Sequence, residues 1–168
     1  MYKLLKKIVS YFRTVNIYEI NENTSYNISK KYKLKIYKNF SSIKLKNIIN
    51  YFTIYKEKKK RFTKNCFFLT LSLNKNLVSS GWLYKGKKWK ISEIDREISI
   101  INKIVIFDFI TPLEFRNKGY YTKLLKLICV KFKKKNILIY SLSSNKKSMR
   151  AIVNAGFRYQ KKLKKKYK

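Results

Sequence analysis

The fold is decided by two stretches of sequence, IVIFDFITPLEFRNKGYYTKLL at residues 104–125 and ILIYSLSSNKKSMRAIVNAGF at residues 137–157. Residues 104–110 are apolar and β-branched or aromatic, interrupted only by Asp108, which is the pattern of a buried strand. A helix is predicted next, because apolar side chains recur at helical spacing at Leu124, Leu125, Ile128 and Phe132. Residues 137–142 form a second short apolar strand. This strand–helix–strand order favours a parallel strand pair.

A basic turn links the first strand to the helix. Pro112 is the only proline in the chain and cannot donate to a strand ladder, so the strand should end near Thr111. Gly119 closes the turn and lets the backbone adopt a positive φ or approach a ligand. Free N–H groups at a helix start attract anions, and Arg116 and Lys118 add positive charge. The turn is therefore a candidate pyrophosphate site, although an ordinary loop with solvated lysines has the same spacing.

The second stretch predicts another short helix. Ser144 or Asn145 can cap its start, and the Asn-Ala-Gly sequence at residues 154–156 ends it with glycine in the left-handed position. Asn145 and Ser148 lie three residues apart, so they share one helix face and can both reach a ligand. Capping alone would also explain Asn145.

Together these motifs resemble the GCN5-related N-acetyltransferase (GNAT) superfamily. The resemblance rests on an ordered set of motifs, Asp108-Phe-Ile-Thr-Pro112, Arg116-x-x-Gly119, Asn145-x-x-Ser148 and Ala155-Gly-Phe157. It implies an α/β (α+β) fold with a mixed, mostly antiparallel central sheet, a splayed parallel strand pair and flanking helices. The wording at residues 108–121 is most similar to members found with surface-polysaccharide genes, which suggests an amino sugar as acceptor.

The resemblance also implies a site for acetyl-CoA as the acyl donor. The main chain of Phe109 and Ile110 would pair with the pantetheine arm. Asn145 and Ser148 would contact the same arm or the reaction centre. The pyrophosphate would lie on the main-chain N–H groups of the turn and the helix start, at Arg116, Asn117, Lys118, Gly119, Tyr120, Tyr121 and Thr122. The sequence departs from the family pattern at Tyr121, where glycine or alanine is usual, so this side chain must turn away from the phosphates.

Catalytic residues are harder to assign. Many members carry a tyrosine acid at the position of Ile152, which cannot donate a proton. Tyr140 stands where some members have a carboxylate, and it can act as an acid but is a poor base at its ordinary pKa. Asp108 is the other candidate, because a carboxylate within an apolar strand is costly unless it is paired or used. Its alternative role is structural, through a bond to a lysine or a backbone amide, and the absence of histidine excludes histidine catalysis.

The remaining acidic residues are few, since the chain has only eight Asp and Glu. Glu93, Asp95 and Glu97 cluster ahead of the central strand and offer carboxylates that can hold or deprotonate an amine. The nearby lysines make a solvated, paired stretch the simpler interpretation. Glu114 precedes the basic turn and is expected to neutralise Arg116 or Lys118.

Length and composition favour one domain over residues 1–168, with an N-terminal extension at residues 1–31 and a frayed basic tail at residues 161–168. The hydrophobic content of 45% is enough for a core, and no apolar run approaches the ~20 residues of a membrane span. Without an evident signal peptide, the interpretation is a cytoplasmic protein. Cys66 and Cys129 are then buried free thiols, and no metal site is expected.

The net charge of +34 is the other conspicuous feature. A field this positive attracts polyanions non-specifically and steers CoA, which is itself a polyanion. It also favours an amine acceptor that carries phosphate or carboxylate groups. The predicted function is acetyl transfer from acetyl-CoA to a primary amine. The alternative is a non-catalytic descendant of the fold that binds RNA, DNA or another polyanion through its basic surface.

Further elements are predicted outside the deciding stretches. An amphipathic helix is predicted at residues 2–12 and a helix capped by Ser41 or Ser42 at residues 41–55. Strands are predicted at residues 17–20 and 32–37, and a hairpin joins residues 66–73 to residues 77–84. Residues 21–31 and 56–64 are expected to be loops, and residues 86–90 a turn.

Overall fold

A computed structural model describes residues 13–20, 26–44, 46–54 and 59–165. The predicted helix at residues 2–12 lies outside these ranges. The described strands are β1 Thr14–Ile20, β2 Tyr32–Tyr37, β3 Cys66–Leu73, β4 Asn76–Lys85, β5 Lys88–Ile91, β6 Arg96–Ser99, β7 Lys103–Ile110, β8 Asn136–Leu142 and β9 Arg158–Lys164. The described α-helices are α1 Lys46–Ile54, α2 Tyr120–Lys131 and α3 Lys146–Asn154. The strand at residues 32–37 and the hairpin of β3 and β4 are therefore confirmed.

Seven of these strands form one mixed sheet in the order β2-β3-β4-β7-β8-β1-β9. Neighbouring strands run antiparallel except β7 and β8, which are parallel and are connected through α2. The remaining pair, β5 and β6, forms a separate two-stranded hairpin. This arrangement confirms the predicted fold class.

The parallel pair separates along its length. Residue pairing between β7 and β8 begins at Lys103 with Asn136 and ends at Ile106 with Ile139. Both strands continue beyond this point, β7 to Ile110 and β8 to Leu142. A gap therefore opens in the middle of the sheet, at the carboxyl ends of its two parallel strands.

A β-bulge shapes the β7 side of this gap. Ser80 of β4 pairs with Ile110 and Trp82 with Phe107, so two residues of β7 oppose one residue of β4. The first of the two is Asp108, whose φ of +48° lies in the left-handed region. Because of the extra residue, Phe107 and Phe109 lie on opposite faces of the sheet, where simple alternation would place both on one face.

The two faces of the sheet are covered by different elements. On the helical face, α2 and α3 pack Leu124, Ile128 and Ile152 onto the sheet. On the opposite face, here called the hairpin face, α1 and the β5–β6 segment contribute Phe52 and Ile94. The gap between β7 and β8 therefore has a different chemical environment on each side.

Gly81 of β4 is needed for the bulge, and its replacement by alanine is expected to destabilise the protein. A Cβ atom at this position would lie 2.5 Å from the ring of Phe109, so the ring would have to move. Overpacking of this kind typically costs about 1–3 kcal/mol. Urea unfolding measures the loss, and Gly81→Ala should also weaken donor binding because Phe109 lines the gap. Unchanged stability and unchanged binding would show that the ring has no fixed position.

Several sequence expectations are corrected at the chain ends. Part of the expected N-terminal extension is wrong, since Thr14–Ile20 lies inside the sheet between β8 and β9. The strand predicted at residues 17–20 therefore exists but begins earlier. The frayed tail is also wrong for residues 161–164, because β9 extends to Lys164. The adjacent lysines Lys161 and Lys162 obscured this edge strand, in which Leu163 is buried. That the chain is a single domain stays a prediction.

Two internal boundaries also differ from expectation. Residues 86–90 are not simply a turn, since β5 starts at Lys88 and pairs with β6. The segment after Ser41 is a short 3-10 helix, Phe40–Ser42, capped by Asn39, and α1 begins only at Lys46. No helix in the part of the chain that the structure describes is both long enough and apolar enough to cross a membrane.

Candidate functional site

The gap between β7 and β8 opens into a cleft of about 910 Å³. The cleft is lined by all the predicted site residues except Lys118, namely Asp108, Phe109, Ile110, Arg116, Asn117, Gly119, Tyr120, Tyr121, Thr122, Tyr140, Asn145 and Ser148. Glu93 and Phe107 extend the lining on the hairpin face. The structure thus brings together residues from the strands, the basic turn and both helix starts.

The start of α2 presents unpaired main-chain N–H groups to the cleft. Gly119 has a φ of +71° and is the N-cap residue, without a side chain to cap the helix. The first helical bond runs from the N–H of Lys123 to the carbonyl of Gly119, at 3.0 Å. The N–H groups of Tyr120, Tyr121 and Thr122 precede this bond. Together with the helix dipole they form a cradle for an anion.

The basic side chains of the turn bind main-chain oxygens near the cradle. Arg116 Nε donates to the carbonyl of Thr111 at 3.0 Å, and Lys118 Nζ donates to the carbonyl of Glu114 at 2.9 Å. The expectation that the Glu114 carboxylate neutralises one of them is therefore wrong. Arg116 lines the cleft, with the remaining guanidinium donors available to a phosphate, whereas Lys118 supplies charge from outside its lining.

Tyr121 lies along the wall of the cleft and bridges its two helices. Its ring packs on Phe109 with 5.1 Å between ring centroids, and its hydroxyl lies 3.4 Å from Ser148 Oγ on α3. Burial strongly raises the pKa of this phenol, so it stays neutral. The departure from the glycine or alanine of the family pattern is thus accommodated by a ring that reaches toward α3.

Asn145 caps α3, as one of the two sequence interpretations proposed. Its Oδ1 accepts a hydrogen bond from the N–H of Ser148 at 3.0 Å. Such caps contribute about 1 kcal/mol to stability. The Nδ2 group has no partner among the described residues and lies in a side chain that lines the cleft. Capping and ligand contact are therefore compatible roles for this residue.

Asp108 forms an ion pair with Arg61, a partner that the sequence analysis did not predict. Asp108 Oδ2 lies 2.6 Å from Arg61 Nη2, and both side chains are about a third exposed, at 39% and 30%. The guanidinium also lies over the rings of Trp82 and Phe107. The expected partner was a lysine or a backbone amide, so that expectation is wrong. The ion pair holds the Asp108 side chain at a backbone position with a positive φ, beside the gap.

Tyr140 lines the cleft from β8 and remains protonated. Burial is the main cause that raises the pKa of its phenol, and the negative charge of Glu93 raises it further. A phenol that keeps its proton at neutral pH is not a base, and its raised pKa makes it a weaker acid than an exposed tyrosine. That Tyr140 acts as an acid stays a prediction.

The acidic cluster divides into two surface ion pairs and one cleft residue. Asp95 pairs with Lys90 at 2.7 Å and Glu97 with Lys88 at 3.0 Å. Glu93 instead lies in the 3-10 helix Ser92–Ile94 and lines the cleft. The sequence pattern did not separate the three, because β5, β6 and the intervening 3-10 helix decide which carboxylate turns inward.

Both cysteines are buried free thiols, as the sequence predicted. Burial raises the pKa of Cys66 to about 11 and that of Cys129 to about 12, so both stay protonated at neutral pH. Cys66 is on the hairpin face and Cys129 on α2 beneath the helical face. In residues 13–20, 26–44, 46–54 and 59–165 no group of three His, Cys, Asp or Glu comes close enough to hold a metal ion.

Similarity to known proteins is found in the structure and not in the sequence. No family model matches the sequence, and no curated protein matches it. A GNAT-family protein from Novosphingobium aromaticivorans superposes with a TM-score of 0.60 at 11% identity, over 89% of this chain and 61% of that chain. A GCN5-related N-acetyltransferase from Sphaerobacter thermophilus gives 0.56 at 9% identity, over 96% of this chain and 54% of that chain.

This chain has the GNAT fold. An aminoglycoside acetyltransferase from a soil metagenome, solved with sisomicin, shares that fold with a TM-score of 0.55 at 10% identity, over 82% of this chain and 95% of that chain. The chain spans only 61% and 64% of the lengths of the first two structural neighbours, so their activities are not transferred with the fold.

Proposed function

We propose that this protein is an acyl-CoA-dependent N-acyltransferase that transfers an acetyl group to a primary amine. The observation that carries the proposal is the cleft through the sheet, which joins an anion cradle on the helical face to a polar, aromatic chamber on the hairpin face. A donor with a diphosphate can enter from the first side and an amine from the second. The two would meet where β7 and β8 separate.

The residues at the α2 start fit the pyrophosphate of CoA. They provide main-chain donors at Tyr120, Tyr121 and Thr122, a guanidinium at Arg116, and a glycine whose positive φ keeps the cradle open. Beyond Ile106 the end of β7 is not paired with β8, so an extended pantetheine arm is proposed to bond the main chain of β7 there. Asn145 Nδ2 offers a further donor from α3.

When bound, acetyl-CoA would supply an activated acyl carbonyl. The neutral amine forms the C–N bond, the C–S bond breaks, and the amine loses one proton while the sulfur gains one. Tyr140 is proposed to donate the proton that the sulfur needs, because its phenol is neutral and lines the cleft. The amine proton leaves through water or a carboxylate of the chamber, since the chain has no histidine.

Asp108 is proposed to act mainly by position. Its ion pair with Arg61 holds the carboxylate in place, and the bulge that begins at Asp108 turns Phe109 toward α2. We propose an amino sugar as one possible class of acceptor. We also propose that the protein acts in the cytoplasm.

Release of free thiol tests the proposal directly. Protein, acetyl-CoA and a panel of primary amines should give CoA thiol in proportion to acylated amine, measured with a thiol reagent and by mass spectrometry. The buried Cys66 and Cys129 should add little background, because both thiols stay protonated. Thiol release that is equal with and without amines would contradict acyl transfer to an amine.

A further inference from the structure

Trp89 of β5 places a buried indole N–H group behind the lining of the cleft. Its Nε1 is one of two buried side-chain nitrogen or oxygen atoms that have no hydrogen-bond partner in the part of the chain that the structure describes. The ring is fixed by packing, since its centroid lies 4.5 Å from that of Phe107 and 5.0 Å from that of Tyr84. A buried donor without a partner is costly to the folded state, so its position calls for an explanation.

The phenol of Tyr140 is the polar group beside this N–H. Ile106 of β7 pairs with Ile139 of β8, so the next residues, Phe107 and Tyr140, are neighbours on the hairpin face where the strands begin to separate. The Trp89 ring packs on Phe107 and therefore lies next to Tyr140. Burial is the main influence on the pKa of the phenol and raises it, whereas hydrogen bonding from Trp89 lowers it. The indole thus acts on the phenol, although the geometry does not complete the bond between them.

We propose that Trp89 is a positioning residue whose N–H completes a hydrogen bond to the Tyr140 oxygen as Tyr140 gives its proton to the leaving sulfur. The inference rests on the proposed acyl transfer. In this step the O–H bond breaks and an S–H bond forms, so negative charge passes from the sulfur to the phenol oxygen. A fixed donor beside the atom on which charge develops stabilises the transition state more than the ground state. The proton that the amine loses returns to the phenol through water.

This role offsets the weak acidity of Tyr140. Burial and the carboxylates of Glu93 and Asp108 disfavour a phenolate, whereas Trp89 and the guanidinium of Arg61 favour one. Arg61 is already bound to Asp108. The Trp89 N–H has no other partner among the described residues, so a new bond to the phenolate breaks no existing one. Trp89 does not itself line the cleft and therefore acts through Tyr140.

An NMR spectrum tests the contact without turnover. The chain has two tryptophans, so a ¹H–¹⁵N spectrum contains two indole signals, and through-bond assignment identifies that of Trp89. Tyr140→Phe removes the phenol oxygen and should shift this signal. Tyr84→Phe removes the oxygen of a ring that also packs on Trp89, but the Tyr84 hydroxyl lies against Gly86, so this variant should shift the signal less. An unmoved signal in Tyr140→Phe, or equal shifts in the two variants, would overturn the inference.

Turnover tests the role in proton transfer. Trp89→Phe keeps an aromatic ring against Phe107 but lacks the N–H, and it should lower kcat by ~10-fold or more while the KM for acetyl-CoA is unchanged. The same substitution in a Tyr140→Phe background should have little further effect, because the donor then has no phenol to act on. A fluorinated tyrosine at position 140, whose phenol is intrinsically more acidic, should restore most of the kcat lost in Trp89→Phe. A purely structural role for Trp89 would lower kcat equally in both backgrounds, without rescue by the fluorinated tyrosine.

The two readouts separate this inference from the proposed function. If amines are acylated but Trp89→Phe keeps the wild-type kcat, or loses kcat equally in both backgrounds, the inference is overturned and acyl transfer stands. If no amine is acylated although the Trp89 signal responds to Tyr140→Phe, the contact exists but the proposed function fails, and the role in proton transfer fails with it. Thermal melting shows whether the variants are folded. Should Trp89→Phe not fold, the NMR comparison of Tyr140→Phe with Tyr84→Phe still decides whether the contact exists.

Discussion

Replacement of Gly119 by glutamate is expected to abolish acetyl-CoA binding. Gly119 has a positive φ and directly precedes the main-chain N–H donors at the start of α2. A glutamate there places a negative charge against the diphosphate and strains the turn. At an effective dielectric constant of about 20, like charges about 4 Å apart repel by about 4 kcal/mol, which corresponds to a loss of affinity of at least ~100-fold.

Calorimetry at high salt measures this loss, because salt screens the non-specific attraction of a strongly basic protein for CoA. Two controls separate the causes. Gly119→Ala keeps the backbone strain without the charge and should lose less affinity than the glutamate variant. Gln160→Glu makes the same change in net charge on the edge strand β9, two strands from β8 and outside the cleft lining, and should bind as the wild type does.

Equal binding by wild type and Gly119→Glu would remove the basis for a donor site in this cleft. Binding that falls equally in Gly119→Glu and Gln160→Glu, and that disappears with salt, would indicate attraction to the surface as a whole. The non-catalytic polyanion binder would then become the better description of the protein. A GNAT fold is compatible with that outcome, since a fold does not fix a function.

The donor side of the proposed site could be predicted because its signals are local. Strand termination at Pro112, the positive φ required at Gly119 and the capping pattern at Asn145 each depend on a few adjacent residues. Turn and cap signals of this kind can be recognised from a few adjacent residues of a sequence. The parallel pairing of β7 and β8 followed from the helix between them.

The proposed acceptor side could not be predicted because its contacts are long-range. Arg61 reaches Asp108 from a segment before β3, and nothing in either neighbourhood indicates the pairing. The bulge at Asp108 depends on Gly81 in another strand, where the ring of Phe109 needs the space of a missing side chain. Glu93 turns inward because β5 pairs with β6, a pairing hidden in a lysine-rich stretch.

Replacement of Tyr140 by phenylalanine is expected to lower kcat by ~100-fold or more while leaving acetyl-CoA affinity unchanged. The phenol lines the cleft between β7 and β8, and positioned proton donors of this kind typically contribute factors of ~100 to 10,000. Phenylalanine keeps the ring and its packing, so stability should change little. Tyr159→Phe is the matched control, because it removes a phenol from the exposed strand β9.

The pH dependence gives an independent test of the same role. Burial and the charge of Glu93 raise the pKa of Tyr140, so the folded protein keeps this proton at pH values where an exposed tyrosine begins to ionise, near about pH 10. The rate should therefore rise with pH as the amine substrate becomes neutral and then reach a plateau, with no decline from Tyr140 below about pH 10. If Tyr140→Phe and Tyr159→Phe gave the same kcat, the proton donor would have to be water, and Tyr140 would serve only as part of the chamber wall.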